Sequence, residues 1–398
     1  MERGRGNHGF KHAPRHSPRP KAVFVVYGGF LAILRRKMPQ EMARQRPGRR
    51  LSLREGPYLA MADKTIHVAG IGNAIVDVLV HADDLLLHRL GLTKGVMTLI
   101  DAEQAEAIYS QLPPGIECSG GSAANTIAGI AALGGRAAYV GKVKDDQLGQ
   151  VFRHDIRNSG VHFETMAASD GASTARCFVL VTPDAQRTML TYLGACVELG
   201  PDDVDAGLIA GAEVTYLEGY LYDPPEAKRA FLKAATTAHG AGRLVSLSLS
   251  DPFCVDRHRD AFLDLVSGHV DILFANEAEL CSLYKTESFD EAVRAVRGHC
   301  RVAAVTRGDK GSVVVTEDEV QVVAADDIEA LVDTTGAGDL YAAGFLFGFT
   351  QGRDLASCAI LGGIAAGEII SHYGARPERS LKDLARAKLG PHIFENLR

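Results

Sequence analysis

The pattern of apolar and polar residues between about positions 212 and 306 alternates between two kinds of segment. Short, continuous apolar runs are typical of buried strands, and the stretches between them carry apolar residues at helical spacing. The pattern predicts an α/β fold in which a central, mostly parallel sheet is covered by helices on both faces. The predicted strands are residues 214–217, 244–249, 272–275 and 302–306, and the predicted helices are residues 225–238, 259–268, 277–284 and 289–300.

The sequence of residues 66–193 predicts shorter strands that are separated by glycine-rich turns. Two apolar runs joined by residues 182–187 have the pattern of a β-hairpin over residues 174–193. A stretch with helical periodicity, residues 147–161, ends at Gly160. The other strands predicted in this half of the chain are residues 66–69, 74–80, 96–100 and 137–140.

Polar residues follow three of the strands that are predicted after position 212. These polar segments are residues 250–252, 276–279 and 306–308. In parallel sheets, ligands bind at the carboxyl ends of the strands. Because three polar segments follow strands at the edge where ligands bind, the sequence predicts a ligand site along this edge of the sheet.

Charge is divided unevenly along the 398 residues. Residues 1–60 hold 14 Lys and Arg against 3 Asp and Glu, whereas residues 61–398 hold 29 against 46. The acidic body offers no basic stripe for a nucleic-acid backbone, so a nucleotide must be held locally by loops and helix ends. We interpret residues 1–60 as a disordered basic extension, or as the product of too early a start codon, and residues 61–398 as the folded domain.

Cysteine content and hydropathy exclude further classes of protein. The seven cysteines are odd in number and lack CxxC spacing, so neither a disulfide framework nor a zinc site is indicated. No apolar run approaches the roughly 18–20 residues that cross a bilayer. We therefore expect a cytoplasmic protein that does not span a membrane. The expected oligomeric state, which these features do not determine, is a monomer or a homodimer.

Residues 332–345, VDTTGAGDLYAAGF, combine several local signals with one chemical meaning. Gly336, Ala337 and Gly338 lie between a β-branched segment and a run with helical apolar spacing, which indicates a tight turn that enters a helix. The first turn of a helix leaves backbone N–H groups unpaired, and small residues there let an anion approach them. Asp339 fits either a helix cap or a base that takes a proton from an alcohol beside this anion hole.

The segment GIGNAIVD at residues 70–77 contains glycines and one unusual acid. It is not a dinucleotide motif, because Ile75 occupies the position of the third glycine, and the P-loop pattern GxxxxGK[ST] is absent from the chain. Asp77 lies inside an apolar strand, where burial of a carboxylate is unfavourable unless something binds to it. Asp77 is therefore either a ligand anchor or a solvated residue of an edge strand.

Three motifs resemble those of the ribokinase-like carbohydrate and nucleoside kinases, the PfkB family. DTTGAGD at residues 333–339 resembles the C-terminal signature, CSGGSAAN at residues 118–125 the N-terminal signature, and N-x-x-E at residues 276–279 the magnesium motif. The resemblance spans roughly residues 61–390. It implies a ribokinase-like fold with a small β-sheet lid near residues 74–80, 96–100 and 174–193, and transfer of a phosphoryl group from Mg-ATP to a hydroxyl group.

The same resemblance implies roles for individual residues. Asp339 is the expected catalytic base, and residues 359–373 are expected to form a helix beside the adenine of ATP. Taken alone, residues 276–279 fit a helix cap equally well, and a monovalent cation is kept open as a further cofactor. The other expected roles are an anion hole (Gly336, Ala337, Gly338), acceptor contacts (Asn73, Asp77, Gly120, Gly121, Asn125), ATP contacts (Thr306, Gly308, Gly311) and binding of Mg²⁺ through water (Asn276, Glu279).

Four segments resemble nucleoside kinases of this family more than its sugar kinases. They are GNAIVDVLV, STARCFVLV, SDPF and NEAE. We therefore expect adenosine as the acceptor, phosphorylated at its 5′-hydroxyl. A sugar such as ribose or fructose is the alternative, and a non-catalytic sensor of nucleotides or sugars is a third hypothesis. Asp339 favours an enzyme over a sensor, because a protein that only binds its ligand needs no base.

Overall fold

The computed structural model of the protein describes residues 66–184 and 186–394, so the interpretation of residues 1–60 lies outside the described residues. Its strands form two sheets, a larger and a smaller one. The strands are β1 (Ile66–Ile71), β2 (Ile75–His81), β3 (Met97–Leu99), β4 (Ile116–Gly120), β5 (Ala137–Val140), β6 (His162–Phe163), β7 (Ala175–Val181), β8 (Arg187–Tyr192), β9 (Ala212–Glu218), β10 (Leu244–Ser248), β11 (Ile272–Asn276), β12 (Val302–Thr306), β13 (Ser312–Val315) and β14 (Val320–Val323).

The helices lie between and after these strands. They are α1 (Asp84–Arg89), α2 (Ala102–Tyr109), α3 (Ser122–Ala132), α4 (Gln147–Asn158), α5 (Ala206–Gly211), α6 (Pro225–Gly240), α7 (Pro252–Gly268), α8 (Glu277–Tyr284), α9 (Phe289–Val296), α10 (Ala337–Thr350), α11 (Leu355–Ile369) and α12 (Leu381–Leu389). None of these helices is long and apolar enough to span a bilayer.

The larger sheet has the strand order β14-β13-β12-β11-β10-β9-β1-β5-β6. Each neighbouring pair from β12 to β6 is parallel, and β13 and β14 extend the β12 edge as antiparallel strands. The prediction of a mostly parallel sheet is therefore confirmed. The direction in which successive strands are added reverses at β1, and open α/β sheets bind ligands at such a point.

Both faces of the larger sheet are buried, as its continuous apolar strands predict. In β11, Ile272 and Phe274 belong to one core, whereas Leu273 and Ala275 belong to the core on the other face. Phe274 packs edge-on against Phe345 of α10, with ring centroids 5.5 Å apart. Helices on both faces therefore hold the carboxyl ends of the strands in fixed positions.

The smaller sheet has the strand order β3-β8-β7-β2-β4 and contains strands at each position predicted between residues 74 and 193 for a second sheet. Its strand β4 was not predicted, because IECSG shows no clear alternation. In β2, Val78 and Val80 face a core that contains Leu86 and Leu87 of α1. On the opposite face, Ile75 and Leu79 pack with neighbouring side chains of β7 and β8. One face of this sheet is thus covered by helices, and the other is left for a ligand.

Three helices differ from their predicted bounds by four residues or more. Helix α7 begins at Pro252 instead of residue 259, because Asp251 caps it and accepts a hydrogen bond from Cys254 N (2.6 Å). The charged run at 256–260 and non-helical dihedral angles at His258 hide this first part from a search for apolar periodicity. Helix α9 ends at Val296 instead of residue 300, and α11 spans Leu355–Ile369 instead of residues 359–373.

Candidate active site

A cavity of about 1490 Å³ lies between the carboxyl edge of the larger sheet and the open face of the smaller sheet. Residues at the carboxyl ends of five central strands line it, as the sheet topology predicts. The residues predicted for the site that line the cavity are Asn73, Asp77, Gly121, Asn125, Asn276, Glu279, Thr306, Gly336, Ala337, Gly338 and Asp339. Gly120, Gly308 and Gly311 are not part of the lining.

The N-terminus of α10 faces this cavity. Gly336 precedes the helix in the left-handed conformation (φ 77°), which a residue with a side chain adopts only with strain. Among the described residues, no side chain caps this helix. A methyl group added at Gly338 would meet no described heavy atom within 4 Å, so the backbone there is open to a ligand. The first turn of α10 therefore has the properties of an anion hole.

Asp339 does not cap its own helix. Its Oδ1 accepts a hydrogen bond from Ser122 Oγ (2.6 Å), and its Oδ2 accepts one from Asn125 Nδ2 (3.0 Å), both on α3. Burial raises the pKa of Asp339, while these two hydrogen bonds and the nearby Arg376 lower it. An ionised carboxylate accepts about four hydrogen bonds, so Asp339 retains capacity for the hydroxyl of an acceptor.

Asp77 lies on the cavity face of β2, between Ile75 and Leu79. Burial raises its pKa to about 6, against the lowering effect of Arg376 and Arg187. Asp339 also raises the pKa of Asp77, because both carboxylates face the same cavity. The solvated edge-strand alternative does not describe Asp77, since β2 has β4 and β7 as neighbours.

The glycine pair at 120 and 121 makes room for the protein's own groups. A Cβ at Gly120 would lie 2.2 Å from Asp77 Oδ2, and one at Gly121 would lie 2.3 Å from the carbonyl oxygen of Asn73. We expected these glycines to let the acceptor approach the backbone. In the structure, they let Asp77 and Asn73 approach the backbone at the start of α3, and the acceptor contact stays a prediction, with Gly121 in the cavity lining.

Glu218, at the end of β9, was not predicted from the sequence. Its Oε1 accepts a hydrogen bond from Asn73 Nδ2 (2.7 Å), and its Oε2 accepts one from Ala123 N (2.8 Å). Burial raises its pKa to about 7, although these hydrogen bonds favour the charged form. Glu218 therefore ties the turn after β1 to the N-terminus of α3. An acid that ends the apolar run VTYLE is the signal that could have identified it.

Asn276 and Glu279 form a reciprocal cap at the start of α8. Asn276 Oδ1 accepts a hydrogen bond from Glu279 N (2.8 Å), and Glu279 Oε2 accepts one from Asn276 N (2.9 Å). The capping alternative is thus present in the structure, and both residues also line the cavity. Burial raises the pKa of Glu279 to about 7, and the negative charge of nearby Asp251 contributes to this increase.

Thr306 ends β12 and lines the cavity, whereas the two glycines that follow do not. Gly311 has φ 82°, and a Cβ there would lie 2.1 Å from the carbonyl oxygen of Val323. Its lack of a side chain therefore allows β14 to approach β13. Gly308 has φ 60° and begins the short turn between β12 and β13.

Two arginines complete the cavity wall, and neither was predicted. Arg187 of β8 forms an ion pair with Asp333, and the side chains of both residues are less than 10% exposed (8% and 4%). Arg376 follows α11 and donates hydrogen bonds to Asn125 Oδ1 and, at 2.9 Å, to Ser119 Oγ. Both arginines link the smaller sheet to segments that follow the larger sheet.

The fold and the cavity together define a class of enzyme. The chain belongs to the pfkB family of carbohydrate kinases, whose family pattern it matches over residues 100–381. Enzymes of this family are phosphotransferases with alcohol acceptors, and the chain is accordingly an ATP-dependent kinase with a ribokinase-like α/β fold.

Individual relatives divide between two kinds of acceptor. The chain is 54% identical to the adenosine kinase from Sinorhizobium meliloti and 52% identical to a probable sugar kinase from Rhizobium etli CFN 42. The match with each of these two structures covers 81% of this chain and 99% of the chain in that structure. The TM-score is 0.76 for the adenosine kinase and 0.77 for the probable sugar kinase. The chain is also 33% identical to the ATP-dependent ribose-1-phosphate kinase of Halopiger xanaduensis, over 64% of this chain and 80% of that protein.

Proposed function

We propose that this kinase transfers the γ-phosphoryl group of ATP to the 5′-hydroxyl of adenosine, giving AMP and ADP. The observation that carries the proposal is the composition of the cavity wall around Asp77. Ile75 and Leu79 flank Asp77 on the same face of β2, and Val179 and Met189 lie on the neighbouring strands. A nucleoside offers hydroxyl groups to the carboxylate and an apolar base to the surrounding wall, whereas a free sugar would leave that apolar wall in water.

Asp339 is the proposed base of this reaction. It lies in the first turn of α10 and lines the cavity, and its orientation is fixed by Ser122 and Asn125. In the proposed reaction, Asp339 accepts the proton of the 5′-hydroxyl as the oxygen attacks the γ-phosphorus and the bond to the ADP leaving group breaks. In this proposal Asp77 and Asn125 hold the ribose in position, next to the close contact between Asn73 and Gly121.

The amide groups of residues 336–338 are the proposed anion hole. Charge accumulates on the oxygens of the transferring phosphoryl group, and N–H donors that are already fixed in place stabilise this charge without reorganisation. The open space at Gly338 supports this role, because the backbone can approach an anion there. Thr306, Gly308 and Gly311 remain the proposed ATP contacts, with Thr306 supported by its place in the cavity lining.

Mg²⁺ is the proposed cofactor, held by Asn276 and Glu279 through water. The described residues contain no cluster of three or more metal-ligating side chains, which agrees with the usual binding of Mg²⁺ by one or two carboxylates and the phosphates of the nucleotide. Glu279 already accepts hydrogen bonds on both carboxylate oxygens, which favours contact through water. When bound, Mg²⁺ would neutralise phosphate charge and relieve the repulsion between Glu279 and Asp251.

The proposed setting is the cytoplasm, where ATP is available. All seven cysteines are unpaired, as expected of a reducing compartment. The smaller sheet is the proposed lid over the acceptor, which would keep water from the reacting phosphoryl group.

A sugar is the second candidate acceptor, because the probable sugar kinase from Rhizobium etli is nearly as similar as the adenosine kinase. The deciding experiment measures ADP formation from Mg-ATP with adenosine, ribose or fructose, together with the mass of each product. We expect kcat/KM for adenosine to exceed that for either sugar by about 10³-fold or more. Turnover with a sugar but not with adenosine would replace the proposed acceptor. Tight binding of adenosine without ADP formation would identify a sensor.

A further inference from the structure

Arg376 lies at the centre of a hydrogen-bonded chain that ends on the proposed base. One terminal nitrogen of its guanidinium donates to Asn125 Oδ1, and Asn125 Nδ2 in turn donates to Asp339 Oδ2 (3.0 Å). The other terminal nitrogen donates to Ser119 Oγ (2.9 Å). Ser119 Oγ donates onward to Asp155 Oδ2 (2.6 Å) of α4.

This chain fixes the direction of the Asn125 amide. A guanidinium only donates hydrogen bonds, and an ionised carboxylate only accepts them. With Arg376 on one side and Asp339 on the other, the amide must present its oxygen to Arg376 and its nitrogen to Asp339. Without Arg376, the amide could turn over, and its oxygen would then repel the carboxylate.

The position of the guanidinium is itself fixed from two sides. Ser119 belongs to β4 of the smaller sheet, and Asn125 belongs to α3. The two terminal nitrogens of Arg376 therefore join β4 to α3. Its Nε is buried and, among the described residues, has no hydrogen-bond partner, so the geometry is set by the terminal nitrogens. A planar fork can hold both acceptors at once, which a lysine cannot do.

The charge of Arg376 faces acids from both walls of the cavity. Asp77 of the smaller sheet and Asp339 of α10 both interact electrostatically with it, and so does Asp155. Asp77 and Asp339 repel each other when both are ionised, and a cation near both favours the ionised form of each. Arg376 thus contributes charge as well as orientation to the two acids on which the proposed reaction depends.

We propose that Arg376 is a positioning residue that acts through Asn125 to hold the Asp339 carboxylate in place for the acceptor hydroxyl. This inference depends on the proposed function of Asp339 as the base. A different role for Arg376, direct contact with the transferring phosphoryl group, predicts that its effect does not depend on Asn125.

A double-mutant cycle separates these roles. ADP formation is measured for the wild type, Arg376→Met, Asn125→Ala and the double variant, with Arg379→Met as the matched control because Arg379 is an exposed arginine of the same segment. We expect Arg376→Met to lower kcat about 30-fold, since small misplacements of reacting groups have effects of this order. The KM for ATP should change less than about twofold, and in the Asn125→Ala background the effect on kcat should shrink to below about threefold.

Equal effects of Arg376→Met in both backgrounds, or a raised KM for ATP with unchanged kcat, would overturn the inference. If Arg376→Met does not fold, as judged by its thermal unfolding, Arg376→Lys is used in the same cycle, with a smaller loss of kcat and the same dependence on Asn125 expected. Adenosine, ribose and fructose are assayed in parallel. If a sugar is the acceptor, the proposed acceptor fails, and the cycle still tests Arg376 with that sugar.

Discussion

The two sheets of this kinase differ in what they bury and in what they leave open. The larger sheet is covered on both faces, and only the carboxyl ends of its strands reach the cavity. The smaller sheet is covered by helices on one face, and its other face is a wall of the cavity, with Asp77 among apolar side chains.

This difference suggests a division of roles. Side chains on helices packed against the larger sheet, such as Asp339 on α10, are held by a rigid core. They suit the chemical step, which requires fixed geometry. Groups on the smaller sheet present a broad surface that suits recognition of the acceptor. Changes on the first side should therefore lower kcat, and changes on the second side should raise the KM of the acceptor.

The largest expected effect is on the side of the larger sheet. Asp339→Asn keeps the shape of the side chain and removes the base, so we expect kcat to fall about 10³-fold while adenosine still binds. Steady-state ADP formation gives kcat, and calorimetric titration gives the affinity for adenosine. Asp318→Asn, at an exposed aspartate in the turn before β14, is the matched control. Comparable rates for Asp339→Asn and the wild type would refute the assignment of the base.

The second prediction concerns Glu218, which accepts a hydrogen bond from Asn73 in the turn where the chain passes from β1 of the larger sheet to β2 of the smaller sheet. Its pKa is about 7 in the folded protein and ordinarily 4.5. Because the folded protein retains this proton to higher pH, the contribution of Glu218 to stability is present below about pH 4.5 and is lost as the pH rises through about 7. The free energy of unfolding of the wild type relative to Glu218→Gln should therefore fall by up to about 3 kcal/mol over this range.

Urea unfolding of both proteins at several pH values between 4.5 and 8 measures this difference. Glu218→Gln does not titrate at position 218, so the other acidic groups cancel in the comparison. A difference that stays constant with pH, or that increases with pH, would contradict the pKa of Glu218.

A smaller effect is expected on the side of the smaller sheet. Asp77→Asn removes a charge that can accept hydrogen bonds from ribose hydroxyls, so KM for adenosine should rise about 30-fold, with KM for ATP unchanged. Since the pKa of Asp77 is about 6, the KM of the wild type for adenosine should also rise below about pH 6. The KM of Asp77→Asn should lack this increase. An unchanged KM for adenosine would remove Asp77 from the acceptor site.

The parallel strands from β12 to β5 of the larger sheet were all predicted from the sequence, whereas β6, β13 and β14 at its two edges were not. The bounds of β12 and α8 match the predictions residue for residue, because continuous apolar strands and capped amphipathic helices are locally specified. Between residues 74 and 193, β4, α1 and α2 were also missed, because elements of five to eight residues carry little periodicity. The start of α7 was missed although Asp251 and Pro252 are a typical cap and first residue of a helix.

The residues of the candidate site also divide into those that local sequence rules could identify and those that they could not. Asp339, Gly336 and Asp77 could be singled out because local rules assign each an unusual position, in a helix start or inside an apolar strand. Glu218 had only the weaker signal of an acid that ends an apolar run. Arg376 could not be singled out, because its partners Asn125 and Ser119 lie more than 250 residues away in sequence. Hydrogen bonds between residues so distant in sequence are set by the tertiary structure, and no local pattern around an arginine in a loop indicates them.

The smallest expected effect tests whether the apolar face of the smaller sheet recognises a base. Met189 of β8 lines the cavity, and Met166 is 80% exposed elsewhere on the surface, so the same substitution can be compared at both positions. Met189→Ala removes apolar contact with the base, and kcat/KM for adenosine should fall about fivefold, which corresponds to about 1 kcal/mol. Phosphorylation of a free sugar, where it is measurable, should not change, because a sugar held by Asp77 has no base that would contact Met189. Equal losses with adenosine and the sugar would show that Met189 supports the fold of the sheet, and the division of roles between the two sheets would then depend on Asp77 alone.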